Sequence, residues 1–230
     1  MSGLREDIGL EIKARFNPKL RTILNNKDQY PDAMIQALYR NEELIDFVYN
    51  YPSKKGHVYT NTIGPVTKGR YPLLLQYDQR WCYGKYEYNV IGMNGCGPTS
   101  AAMIIAGLTG RNNITPLDVA SYAYSHGYYQ DGTSWSFFTE GMKHYGIHGR
   151  NIPLSYSSMK NEIMNGRPLI CSMKPGDFTT TGHLIVIRGM KQGMFIVNDP
   201  NSIKRSNRLW SYDTPVSYTH LRAHETKANL

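Results

Sequence analysis

Residues 94–110 read NGCGPTSAAMIIAGLTG. Pro98 suits the first turn of a helix, where its missing N–H would have no partner anyway, and Gly110 suits the C-terminal stop. The spacing predicts a helix of about 12 residues, roughly 18 Å long, that starts just after Cys96. It is apolar on nearly every side, so it belongs at the centre of a domain. Cys96 stands at its mouth, where backbone N–H groups and the positive end of the helix dipole favour a thiolate. The flanking Gly95 and Gly97 leave room for a substrate backbone. The competing role for Cys96 is a small buried residue in a tight turn.

Downstream, helices give way to strands. Thr115-Pro116 opens a helix that Gly127 closes, Thr133-Ser134 opens another that Gly146 closes, and a third runs from Ser157 or Ser158 to Asn165 before Gly166. Pro168–Met173, His183–Gly189 and Met194–Asn198 have strand character, with Lys191-Gln192-Gly193 as the turn between the last two. Helices followed by strands make an α+β domain with an antiparallel sheet against the central helix. Upstream, residues 1–52 form a helical N-terminal arm. Met34, Ile35, Leu38 and Tyr39 share one face, Leu44, Ile45, Phe47 and Val48 share another, and Tyr51-Pro52 ends the pattern. Residues 53–70 lack periodicity and form a linker, and the domain proper covers 71–215.

Composition narrows the chemistry. The chain has 230 residues and 26.2 kDa, 40% of it hydrophobic, enough for a core. No apolar run approaches the roughly 20 residues of a membrane helix, and the first 30 residues are charged rather than signal-like. The formal charge is +8, which suits an anionic partner such as a cell envelope. The basic residues are scattered, without the aromatic-interleaved stripe of a nucleic-acid groove. Three cysteines without C-x-x-C spacing exclude a disulfide framework and a thiolate zinc site. No cofactor or metal is expected. Thiol chemistry remains.

A nucleophilic thiol needs a base, and the base needs an orienting group. His57 lies in the linker, His126 and His144 near helix ends, and His148 in a loop. His183 differs because it opens a strand. In a hairpin centred near residue 191 or 192, His183 faces residues 199 and 200, which puts Asp199 within reach of the imidazole. Asn198 then points to the opposite face; the alternative for Asp199 is a structural Asp-Pro turn. An oxyanion hole needs donors. The Cys96 N–H is one, and the amide of Gln76, delivered by Leu73-Leu74-Leu75, is the second, with Gln79 as fallback. Cys171 reads as core, and Cys82 as a half-buried loop residue.

The ordered set Gln76, Cys96, His183 and Asp199 resembles the papain-like cysteine peptidases related to the bacteriocin-leader-processing peptidases, closest to their stand-alone bacterial branch. The resemblance is carried by QYDQRW (76–81), YG (83–84), NGCGPTSAAM (94–103), DGTSW (131–135), TTTGHLIVIRG (179–189) and VNDPNS (197–202). It spans about residues 72–213 and implies a papain-like fold. It implies Cys96 as nucleophile, His183 as general base and acid, Asp199 as orienting carboxylate and Gln76 as oxyanion donor. The implied reaction is peptide-bond hydrolysis through an acyl-enzyme thioester, with a peptide or protein as substrate. The family also suggests an extracellular or envelope location, though no signal peptide is visible. Two departures stand out: residues 77–95 separate Gln76 from Cys96, where the bacteriocin-processing members space the pair by only a few residues, and those members precede a transporter, which these 230 residues do not contain. Amide hydrolysis or acyl transfer on cell-wall peptides would use the same thioester, and a non-catalytic peptide-binding module could keep the fold. Val216–Thr226, VSYTHLRAHET, resembles the translation of an adapter used in sequencing-library preparation. Residues 216–230 are therefore expected to be a non-native tail after a truncated domain, with His220 and His224 excluded from any site.

Overall fold

The computed structural model describes residues 9–130, 132–174, 176, 182–212 and 218–226. The arm contributes helical residues 9–14 and then α1 (Pro18–Asn25), α2 (Asp32–Arg40) and α3 (Ile45–Lys54). The domain contributes α4 (Cys96–Thr109), α5 (Pro116–Ser125), α6 (Trp135–Thr139) and α7 (Tyr156–Met164). Lys85–Tyr86 and Asn89–Val90 pair as a separate short hairpin, and the strands of the main sheet are β1 (Ile147–Asn151), β2 (Leu169–Met173), β3 (His183–Lys191), β4 (Met194–Asn198), β5 (Leu209–Trp210) and β6 (Tyr218–Thr226). They form one antiparallel sheet in the order β1-β6-β2-β3-β4-β5. The chain thus forms the expected α+β architecture, a central helix packed against an antiparallel sheet.

Helix α4 runs 14 residues, and every residue from Gly97 to Leu108 is buried. Gly110 closes it in the left-handed conformation at φ 76°, which a Cβ would strain. Thr115 caps α5 through a reciprocal pair of bonds with Asp118. The helix expected between Ser134 and Gly146 is broken: α6 ends at Thr139, and a 3-10 turn, Gly141–Tyr145, follows. Close packing explains part of this, because a Cβ on Gly141 would lie 2.4 Å from the Phe137 ring. Pro52 does not end α3, which continues to Lys54. Near the C-terminal end a proline removes one ladder bond, and the Lys55 N–H still closes the last turn on the Tyr51 carbonyl.

The linker is fastened along its length. Gly56 donates to the Tyr83 carbonyl, Tyr59 to Arg80, Ile63 to Asn112 and Gly69 to Gly107. The arm shares a core with residues 77–93: Leu38, Leu44, Phe47, Val48 and Tyr51 pack with Tyr77, Cys82, Tyr83 and Val90. Phe47 stacks on Tyr83 at 5.5 Å between ring centroids. The segment that separates Gln76 from Cys96 is thus the shelf on which the arm sits. Cys82 belongs to that core and is fully buried, where a half-buried loop position was expected.

Strands β1, β5 and β6 had no clear signal in the sequence. Residues 218–226, expected to be a foreign tail, pair with β1 on one side and β2 on the other. The slot between those strands offers unpaired backbone groups on both sides, and a segment with Tyr and Thr suits it. Residues 213–217 and 227–230 lie outside the described residues, as do Asp131 and residues 179–181 of the quoted motifs.

Ile104, at the middle of α4, has no exposed surface, so Ile104→Ala should cost about 2–5 kcal/mol of stability. Met164, 70% exposed at the end of α7, should change stability by less than about 0.5 kcal/mol when replaced by Ala. Urea denaturation of the two variants measures the contrast.

Candidate active site

The first turn of α4 lies against the start of β3. Ser100 donates its hydroxyl to the Leu184 carbonyl at 3.4 Å, and the Leu184 and Gly97 backbone groups lie where they lower the pKa of the Cys96 thiol. Cys96 and Ser100 are four residues apart and so share one face of the helix. The ladder between β3 and β4 begins only at Val186, so β4 does not compete for the Leu184 backbone. These contacts bring His183, the residue before Leu184, beside the thiol, where His183 lowers the Cys96 pKa and Cys96 raises that of His183.

The other side of the imidazole is fixed by Asp199. His183 Nε2 lies 2.7 Å from Asp199 Oδ1. That bond occupies Nε2 and leaves Nδ1 for the sulfur. The expected register is off by one or two residues. Val186 pairs with Asn198 and Ile187 with Val197, and a bulge between Ile187 and Gly189 shifts the rest of the hairpin. The ladder has ended before His183, so the two side chains meet across an open end rather than as a directly opposed pair. Asn198 does turn away, accepting from Arg188 Nε at 2.8 Å and donating to the Tyr71 and Pro72 carbonyls.

Asp199 has no exposed surface, and its carboxylate accepts from Asn201 and Arg205 besides His183. Asn201 N–H reaches Oδ1 at 2.7 Å and Arg205 Nε reaches Oδ2 at 2.6 Å. The Asp199 N–H donates to Ser206 Oγ at 2.8 Å. Arg205 was missed in the sequence, where Lys204-Arg205 reads as surface charge. The available signal was a buried carboxylate: one His partner leaves acceptor sites open, and a nearby cation is the usual complement.

Burial alone would neutralise all three groups; their contacts reverse it. Burial raises the Asp199 carboxyl, but His183 and Arg205 hold it below its ordinary value. Burial lowers His183, but Asp199 and then Cys96 raise it to about 10. Burial raises the Cys96 thiol, yet bonds from His183, Leu184 and Gly97 leave it lowered. Cys82 and Cys171 are both pushed up, chiefly by burial, which at Cys82 outweighs the lowering by Tyr83 and Lys54. Cys96 is half-buried while the other two thiols are fully covered. The arrangement therefore favours a thiolate–imidazolium pair at Cys96.

Gln76 is buried beside the segment leading into α4, though in a turn and not at a strand end. Its Nε2 donates to the Gly92 carbonyl at 3.0 Å, which uses one of its two N–H groups. Its Oε1 is buried without a partner among the described residues. Gln79 instead faces the arm, accepting from Asn50 and Lys54. The glycines around Cys96 serve the protein's own packing. A Cβ on Gly97 would lie 2.4 Å from Thr133 Oγ1, and one on Gly95 2.5 Å from the Ile91 carbonyl oxygen. The room expected there for substrate is filled.

The other histidines are elsewhere. His126 and His144 stack on the two sides of Tyr122 at 4.0 and 4.1 Å, and His148 lies in β1 rather than a loop. Among the described residues no cluster of three or more His, Cys, Asp or Glu could hold a metal ion, and no helix is long and apolar enough to cross a membrane.

The model of the peptidase C39-like family matches residues 68–225 of the chain. No curated protein matches it in sequence. Among solved structures, it is similar to the peptidase domain of Streptococcus ComA, a bi-functional ABC transporter involved in a quorum-sensing pathway. Identity there is 20%, covering 67% of this chain and 96% of that one, at a TM-score of 0.46. It is also similar to a C39-like peptidase from Bacillus anthracis at 14% identity, covering 71% of this chain and 98% of that one, at a TM-score of 0.45.

The raised pKa of His183 has a consequence for stability. A cation whose folded value exceeds its unfolded value of about 6.5 contributes fully below that value and loses its contribution as pH rises through the folded one, about 10. The stability difference between the parent chain and His183→Gln should therefore shrink between pH 7 and pH 10 in urea titrations. A difference that grows with pH would contradict the ion pair.

Proposed function

Because the chain belongs to the peptidase C39-like family, with its papain-like architecture, we propose that it is a cysteine peptidase working through Cys96, His183 and Asp199. The observation that carries this reading is the relay of contacts from sulfur to imidazole to buried carboxylate. The Cys96 thiolate attacks the scissile carbonyl carbon, a C–S bond forms, and the carbonyl oxygen takes the negative charge. That oxyanion would be met by the Cys96 N–H, which as the first of a helix has no intrahelical acceptor, and by the second N–H of Gln76.

His183 then gives its proton to the leaving amine, the C–N bond breaks, and the acyl group remains as a thioester. A water molecule attacks next, passing a proton to His183. Its oxygen bonds to the acyl carbon, the C–S bond breaks to restore the thiolate, and the product leaves as a carboxylic acid that gives its remaining proton to solvent. Asp199 keeps the ring oriented and its charge balanced, as an orienting carboxylate does elsewhere. Arg205 keeps Asp199 ionised. The substrate is a peptide or protein.

Iodoacetamide should label Cys96 much faster than Cys82 or Cys171, and His183→Ala should slow that labelling. Cys96→Ala should lower cleavage of a peptide library, of unfolded protein and of purified wall peptides to the uncatalysed rate. Whichever of the three the parent chain turns over identifies the substrate class. Equal labelling of all three cysteines, or a biological activity that survives Cys96→Ala, would replace this reading with a peptide-binding module.

A further inference from the structure

The Asp199 loop is held from outside the domain. Glu43, between α2 and α3 of the arm, accepts from four groups. Ser202 Oγ donates to Oε1 at 2.6 Å and the Ile203 N–H to Oε2 at 2.7 Å. The Tyr77 hydroxyl reaches Oε2 at 2.9 Å, and the Lys204 N–H reaches Oε1 at 3.4 Å. Asn41 adds a bond from its Nδ2 to the Asn201 carbonyl at 2.7 Å. Two residues of that same loop, Arg205 and Ser206, bond Asp199 directly. Ser202, in addition, accepts from the Arg205 N–H at 3.1 Å. One carboxylate on the arm therefore fixes the segment that fixes the carboxylate behind His183.

We propose that Glu43 is a positioning residue: the arm, through Glu43, sets the 199–206 loop and with it the bond between Asp199 and His183. This rests on the cysteine-peptidase reading above. The arm is then part of the machinery rather than a neutral appendage. Burial opposes charge on Glu43, but its bonds with Ser202, Ile203, Tyr77 and Lys204 keep it ionised. The thiol–imidazole pair is also faced by the Tyr86 hydroxyl from the 85–90 hairpin, and Asp199 by Arg205 and Tyr77. None of these is removed by a change at position 43.

The test is the pH profile of Cys96 alkylation by iodoacetamide, followed by mass spectrometry in the parent chain and in Glu43→Gln. The amide offers one acceptor oxygen and turns its own N–H groups toward donors. The acid limb should move up by about one pH unit, roughly tenfold slower labelling at a pH on that limb. Cys82 and Cys171 should stay unlabelled, which reports an intact fold. A profile that coincides with the parent's overturns the proposal. If Glu43→Gln exposes Cys82 and Cys171, Tyr77→Phe takes its place, removing one donor without changing charge. A smaller shift in the same direction supports the proposal, and an unmoved profile overturns it. An ordinary thiol profile for Cys96 in the parent chain would instead sink the peptidase reading itself, and this inference with it.

Discussion

The structure turns on the docking of the first turn of α4 onto the backbone of Leu184. Ser100 bonds the Leu184 carbonyl, and the Leu184 backbone helps hold the Cys96 thiol below its ordinary pKa. Those contacts fasten a helix from the first half of the domain to a strand from the second. His183 is the next residue along, so its imidazole goes where the strand goes. For a buried helix that is apolar on nearly every side, burial itself gives no directional preference. Directional contacts at its mouth supply one.

Charge at the site is stabilised in series. His183, Asp199 and Arg205 alternate in sign beside a thiol whose pKa is held down, and His183 and Asp199 are almost wholly covered. Burial by itself would neutralise each one. Each instead takes its charge from the next, and the series reaches partial solvent at the sulfur and at Arg205. Glu43 and Asn41 brace the outer end. The segment between Gln76 and Cys96 carries the apolar shelf that seats the arm. That segment and the arm are therefore one structural feature: the first provides the surface that the second covers.

Much of this was legible in the chain. The extent of α4 followed from Pro98 and Gly110, because both residues restrict backbone geometry locally. The hairpin turn followed from Gln192-Gly193, whose φ values of 53° and 74° need residues that tolerate the left-handed region. The choice of His183 over four other histidines followed from its place at the head of an apolar strand. The bulge after Ile187 was not legible, since an extra residue in a strand leaves no compositional trace, and it moved the register on which Asp199 had been placed. Strands β1 and β5 escaped for a related reason. One is polar along half its length and the other has two residues, so neither carries a period.

Local chemistry in the sequence settled which residue types stand at helix mouths, strand heads and turns, and hence the likeness to a thiol-based family. Only the tertiary structure decided what those residues touch. Gly97 packs on Thr133 instead of making room for substrate, Gln76 spends one donor on Gly92, Arg205 turns inward to Asp199, and Glu43 reaches a loop about 160 residues away in the chain. The reason is that backbone preferences act over a few neighbours. A hydrogen bond or ion pair between distant residues depends on where every intervening element packs.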